Sequence, residues 1–264
     1  MCSSCIQPPH CILAPPARTL IICRAKELNI GVSSGLGKGS IRDKISGEEL
    51  LRLLRDNLRV DWREYVALVA YETDGNPFAV LAAVVLSQNT NDKNSIRAYL
   101  KLRQTIGVTP EAILEASYDD LVEAIREAGL PRQKASALKA LAEAVVRWGG
   151  ENYLLKAPPE ELREKLMSIR GIGPKTADVF LSLVRKAPGV FAVDTHAARV
   201  ARRWGLVGEK AGYDEISKAL YNYFGPGNSE EAHRLIIALG RTYCKARRPR
   251  CRECPLRSVC PSAQ

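Results

Sequence analysis

Apolar residues recur at helical spacing along most of the chain from Ser46 onward. Leu50, Leu51, Leu54 and Leu58 mark one face, and Tyr65, Val66, Val69 and Ala70 mark the next. Positions three and four apart fall on the same side of an α-helix, so each set predicts an amphipathic helix. Pro77 to Ser87 is almost wholly apolar, which predicts a core helix enclosed on all sides. Ala135, Leu138, Leu141, Ala142 and Val145 repeat the helical pattern until Gly149-Gly150 stops it. Further helices are expected over 92–104, 110–116, 118–127, 159–168, 174–186, 195–204, 213–223 and 229–243. No convincing run alternates with period two, so the fold class is all-α.

Residues 1–45 differ from the rest. They are rich in Pro, Cys, Gly and Ser with weak periodicity, and are expected to form a flexible extension. Gly35-Leu36-Gly37-Lys38-Gly39-Ser40 hints at a phosphate-binding loop. It lacks two required residues: Val32 stands in place of the first glycine, and Gly39 in place of the Ser or Thr.

Charge narrows the class of partner. The chain carries a formal +10, and from Arg241 onward seven basic residues face a single acid, Glu253. A basic tail suits a polyanion, either nucleic acid or an acidic membrane surface, or it serves only to keep the chain in solution. No apolar run approaches the ~18 residues that span a bilayer, and the start of the chain lacks the layout of a secretory signal. These features predict a cytoplasmic protein whose clustered thiols bind metal rather than form disulfides.

Chemistry gathers in three places. In Leu166-Met167-Ser168-Ile169-Arg170-Gly171-Ile172-Gly173-Pro174-Lys175-Thr176-Ala177, one helix ends, Gly-Ile-Gly turns tightly, and a second helix starts with Pro174 at its first position. Glycine lets a ligand approach the backbone closely, and the free N–H groups of the new helix can hold a phosphate oxygen. Ile172 is expected to plug inward. This is the sequence form of a helix-hairpin-helix, which grips a DNA backbone without reading bases. Lys175 at its mouth is, by residue type alone, a phosphate contact; as a neutral amine it could instead form a Schiff base with an electrophilic carbon. Asp194, in Phe191-Ala192-Val193-Asp194-Thr195-His196, reads first as a helix N-cap. Facing the hairpin, its carboxylate could also stabilise a sugar cation. His196 reads as a hydrogen-bonded structural residue.

The third place is the C-terminal spacing C-x6-C-x2-C-x5-C formed by Cys244, Cys251, Cys254 and Cys260. Four thiolates in so short a segment can surround one metal centre. Spacing does not separate zinc from an iron–sulfur cubane, although a single C-x2-C knuckle leans toward the cluster. Between the first two ligands lie Lys245, Arg247, Arg248 and Arg250, a basic knob suited to phosphates. Cys2, Cys5, Cys11 and Cys23 are less readily placed in a second site.

Taken in order, Gly-Ile-Gly-Pro-Lys-Thr-Ala, Val-Asp-Thr-His and the four cysteines resemble the endonuclease III branch of the helix-hairpin-helix DNA glycosylases, over roughly residues 46 to 261. The resemblance implies two helical domains with DNA in the cleft between them. One is a six-helix domain over 76–188 that carries the hairpin; the other joins 46–75 to 189–264 around a [4Fe-4S] cluster. By position, Lys175 matches the family's Schiff-base lysine, Asp194 its catalytic aspartate, and the four cysteines its cluster ligands. Gln88 and Asn89 fall in the loop that fills the gap left by an extruded nucleotide; the family commonly has Gln where Asn89 stands. Arg132 falls in the loop that probes the opposite strand. Gly171, Gly173 and Thr176 fall in the hairpin that holds the backbone.

The activity implied is base excision repair: a DNA glycosylase with AP lyase activity, acting as a monomer on duplex DNA with an oxidised pyrimidine or an abasic site. Two rivals stand beside it. A monofunctional mismatch glycosylase generally lacks the lysine at the place of Lys175, and a non-catalytic binding module with a zinc-stabilised tail predicts no covalent chemistry.

Overall fold

The computed structural model describes residues 39–263, and among them every regular element is helical. In chain order the α-helices are α1 (Gly47–Asn57), α2 (Val66–Asp74), α3 (Pro77–Leu86), α4 (Asp92–Thr105), α5 (Pro110–Glu115), α6 (Tyr118–Ala124) and α7 (Pro131–Arg147). They continue with α8 (Glu151–Lys156), α9 (Pro159–Met167), α10 (Pro174–Leu183), α11 (Thr195–Arg203), α12 (Tyr213–Phe224) and α13 (Ser229–Thr242). Short 3-10 turns cover Ile41–Asp43, Trp62–Glu64, Arg126–Ala128 and Cys251–Glu253. No helix among the described residues is long and apolar enough to cross a membrane.

Local chemistry sets the starts of these helices. Ser46 accepts from the Glu49 N–H while the Glu49 carboxylate reaches back to the Ser46 N–H, a capping box that opens α1. Asn76 and Thr109 cap helices that begin with Pro77 and Pro110, where proline sacrifices no hydrogen bond. Helix α3 is the apolar run of the sequence, and all ten of its residues are buried.

The apolar faces meet in two cores. The first gathers side chains from Tyr65 to Ala187, with α3 at its centre, and takes Ile237 from α13. The second joins Ile41 and the α1 leucines to Phe191, Val200, Trp204, Leu220, Ile236 and Leu256. From Ile41 onward the described residues therefore start in the second core, build the first and return. The sequence reading groups 46–75 with the C-terminal segment, but α2 packs against α3, and its Val66, Val69 and Ala70 lie in the first core.

The last residues of the expected extension are ordered. Residues 39–45 are folded: Ser40 caps a 3-10 turn, Ile41 is fully buried, and its N–H donates to the Trp204 carbonyl at 2.8 Å. One apolar side chain with a partner across the fold outweighs a Gly- and Ser-rich context. The rejected loop motif at 35–40 and the four N-terminal cysteines fall mainly or wholly outside the described residues.

Candidate functional site

A cavity of about 1140 Å³ lies where the two cores meet, and both contribute to its wall. From the first side come the hairpin and the loop after α3; from the second come Asp194 and His233. The hairpin forms because Gly171 adopts φ +94°, closed to most L-residues, with no room for a Cβ: an added one would lie 2.9 Å from the Ala137 Cβ on α7. Ile172 between the glycines is buried, as its apolar side chain dictates. Gly173 differs, since nothing lies within 4 Å of where its Cβ would be. The N–H groups of Gly173 and Lys175 have no partner among the described residues, and they sit at the positive end of α10.

Lys175 is the second residue of α10 and Asp194 the N-cap of α11; both line the cavity. The Asp194 Oδ1 accepts the Ala197 N–H at 2.7 Å. Burial works against its charge, but His233, that amide, His196 and Lys175 outweigh it and hold the carboxyl below the ordinary carboxylate range. Burial pushes the His233 imidazole down to about 4, so it is neutral near pH 7, where the amide and Lys175 sustain the effect. The His233 Nε2 has no hydrogen-bond partner among the described residues. His196 also lines the cavity; its Nδ1 lies 2.9 Å from Arg199 Nη2 and its ring packs against Gly240.

Gln88 and Asn89 take different positions. The Gln88 Nε2 donates to the Gly171 carbonyl (3.0 Å) and to Thr176 Oγ1 (3.2 Å), tying the loop to the hairpin. Thr176 is buried, and its hydroxyl serves that bond. Asn89 is exposed and left-handed at φ 52°. Arg132 is exposed and is not part of the cavity wall. Across the cavity, Arg241 pairs with Asp92 and stacks over the Tyr65 ring, 4.9 Å from its centroid. Sequence reasoning missed this bridge and His233, because partners 149 residues apart leave no local pattern.

Cys244, Cys251, Cys254 and Cys260 are free thiols that line a second cavity of about 310 Å³. Among the described residues no three metal-ligating side chains are gathered as a single ion requires. A zinc ion, with sulfurs at ~2.3 Å, needs a tight tetrahedron. A polynuclear cluster needs four thiols around a larger volume; all four cysteines line this one cavity. Burial pushes the Cys254 thiol up to about 11, with the neighbouring cysteines adding to the rise. Binding of a metal centre at these thiols would release their protons. Arg203 donates to the Cys244 sulfur at 3.2 Å and to the Lys245 carbonyl at 2.8 Å, setting positive charge beside the sulfurs. Arg247, Arg248 and Arg250 are exposed on the adjoining loop.

Comparison with known proteins agrees with this geometry. Residues 82–226 match the family described as HhH-GPD superfamily base excision DNA repair protein. Endonuclease III of Sulfolobus acidocaldarius is 35% identical over 213 residues, covering 80% of this chain and 94% of that one. A solved trapped endonuclease III–DNA covalent intermediate is 27% identical, with a TM-score of 0.64 over 83% of this chain and 97% of its own. A thermostable thymine-DNA glycosylase shares the fold, with a TM-score of 0.67 at 20% identity over 82% of this chain and 94% of its own. Hairpin, cavity, sequence and fold agree, and the chain belongs to the HhH-GPD superfamily of base excision DNA repair proteins, in its endonuclease III family.

Proposed function

We propose that this base-excision-repair DNA glycosylase is bifunctional, removing oxidised or ring-saturated pyrimidines from duplex DNA through Lys175 and then cutting the strand. The observation that carries the reading is the placement of Lys175 and Asp194 in the lining of one cavity, beside a hairpin whose amides are free among the described residues. A lysine at this position also weighs against the monofunctional rival.

In this reading the Gly171–Gly173 hairpin holds a phosphate through backbone N–H groups, and the damaged nucleotide turns out of the stack into the cavity. The Lys175 amine bonds to C1′ as the bond from C1′ to the base breaks; the base leaves with the electron pair and takes up a proton. Asp194, ionised because its surroundings favour the charge, stabilises the sugar cation. Opening of the sugar ring then gives a Schiff base between the Lys175 Nζ and C1′. The proton at C2′ becomes acidic, and its loss expels the 3′ phosphate and breaks the strand. Asn89, exposed at the tip of its loop, fills the vacated position, while Gln88 holds that loop to the hairpin. Arg132 probes the opposite strand.

Cys244, Cys251, Cys254 and Cys260 would hold a [4Fe-4S] cluster, which supplies structural closure of the C-terminal segment when bound. Lys245, Arg247, Arg248 and Arg250 then contact phosphates on the rigid loop beside it. The protein works as a monomer of two helical domains, built on the two cores, in the cytoplasm.

The test is borohydride trapping on a duplex with one abasic site. A covalent complex that is lost in Lys175→Ala supports the lyase. Tight binding without trapping removes the bifunctional mechanism and favours a monofunctional enzyme or a binding module.

A further inference from the structure

Lys134, the fourth residue of α7, is buried at 4% exposure, a rare location for an ammonium group. No carboxylate among the described residues pairs with it. Its Nζ instead donates to two backbone carbonyls, Leu86 at 2.8 Å and Ala128 at 2.7 Å. Both carbonyls belong to helix ends, where unsatisfied C=O groups carry partial negative charge and favour a cation. Leu86 closes α3, and Ala128 closes the 3-10 turn Arg126–Ala128.

Each carbonyl stands at the root of a loop. After Leu86 the chain runs through Ser87 and Gln88 to Asn89; after Ala128 it runs through Gly129, Leu130 and Pro131 to Arg132. Both loops hold one non-glycine residue in the left-handed region, Asn89 at φ 52° and Leu130 at φ 51°. These two residues are exposed. A strained, exposed tip keeps its direction only when its root is fixed. One ammonium fixes both roots, and Gln88 adds a tie from the first loop to the hairpin.

We infer that Lys134 is a positioning residue that locks the two lesion-probing loops in a common register, so that displacement of one is felt by the other. The inference rests on the proposed role of these loops in extruding a damaged nucleotide. A cation with three donors suits the task better than any neutral side chain, because two carbonyl oxygens converge on one atom. Burial pushes the ammonium down to about 8, so it stays mostly charged at neutral pH.

Lys134→Met keeps the length of the side chain and removes both bonds. The expected result is faster amide exchange in residues 87–91 and 129–133 together, with the rest of the first core unchanged. Single-turnover excision of 5,6-dihydrothymine from a duplex should fall at least tenfold, because extrusion needs both loops. Cleavage of a duplex with a preformed abasic site should stay within about threefold of the parent, and Lys134→Arg should recover most of the excision. If the Met variant does not fold, Lys134→Gln, which replaces the ammonium with a neutral amide on a shorter side chain, is measured by the same criteria. Loosening of one loop alone, or a parallel fall in both activities with exchange raised throughout the core, would overturn the inference. If the parent enzyme fails to excise dihydrothymine, the substrate reading is wrong, and the exchange of the two loops still decides the role of Lys134.

Discussion

The two glycines of the hairpin are expected to respond to alanine in opposite ways. Gly171 sits at φ +94°, and a Cβ there would lie 2.9 Å from the Ala137 Cβ. Left-handed backbone costs an L-residue about 1–2 kcal/mol. Forcing a methyl into a packed contact costs about 1–3 kcal/mol more, and Ala137 has no rotamer by which to retreat. Together these amount to about 2–5 kcal/mol, a large part of the roughly 5–15 kcal/mol by which a folded protein is stable. Gly171→Ala should therefore lower the urea midpoint with little change in slope.

Gly173 has an ordinary φ of −106° and open space where the Cβ would go. Alanine there should leave stability unchanged or raise it by up to ~1 kcal/mol, through a less flexible unfolded chain. The added methyl, however, would take up part of the open space beside the hairpin, where the proposed mechanism seats a phosphate. Loss of one charge-assisted hydrogen bond, about 1.5–3 kcal/mol, weakens DNA binding roughly ten- to hundredfold. Urea unfolding followed by circular dichroism, with fluorescence anisotropy on a duplex bearing an abasic-site analogue, reads both effects. A Gly173→Ala protein that binds as tightly as the parent would refute the phosphate assignment. A Gly171→Ala protein as stable as the parent would refute the packing argument.

Asp194→Asn keeps an oxygen to cap α11, so stability should change by less than ~1 kcal/mol, while excision falls at least a hundredfold for want of the charge. The folded-state pKa of Asp194 is depressed, so its stabilising share is present above the unfolded carboxylate value, about 3.9, and lost as pH falls through the lower folded value. A carboxyl 13C titration placing Asp194 above 5 would contradict this. Purified protein should contain iron and acid-labile sulfide in equal amounts, both lost in Cys254→Ser; zinc without sulfide would show that the cavity holds another centre. Arg247→Ala combined with Arg248→Ala should reduce the slope of log affinity against log salt by about two. An unchanged slope would remove that loop from the DNA contact.

Much of this architecture can be read from local sequence, because local forces decide it. The run Pro77–Leu86 could only be an enclosed helix, and Asp194 before Thr195-His196 could hardly avoid capping one. The glycines at 171 and 173 announce a tight turn, but only the folded chain separates their roles, since one is crowded and the other bare. Features set by distant partners leave little trace. Helix α8, six residues long after Gly149-Gly150, is not among the expected helices; it buries a single leucine, Leu154, and so shows no repeating apolar face. Nothing in the local sequence marks Lys134 as buried, because its acceptor at Leu86 lies 48 residues away. Ile41 is hidden for a similar reason, since its pocket is built by residues from the other end of the chain.

The second core has a consequence for how the protein is made. Its first strip, the leucine face of α1, is synthesised long before the residues that cover it, and Tyr223 reaches the Ile45 carbonyl from 178 positions away. Contacts closed across such a span form slowly, because the chain must surrender loop entropy before any burial rewards it. The first core, contiguous apart from Ile237, can collapse while the ribosome is still reading the rest. Amide-exchange labelling during refolding should therefore protect α3 and α7 before α1. Cys244, Cys251, Cys254 and Cys260 follow nearly all of this core's residues in the sequence, so the centre proposed for them would fasten the core only after most of it had been made.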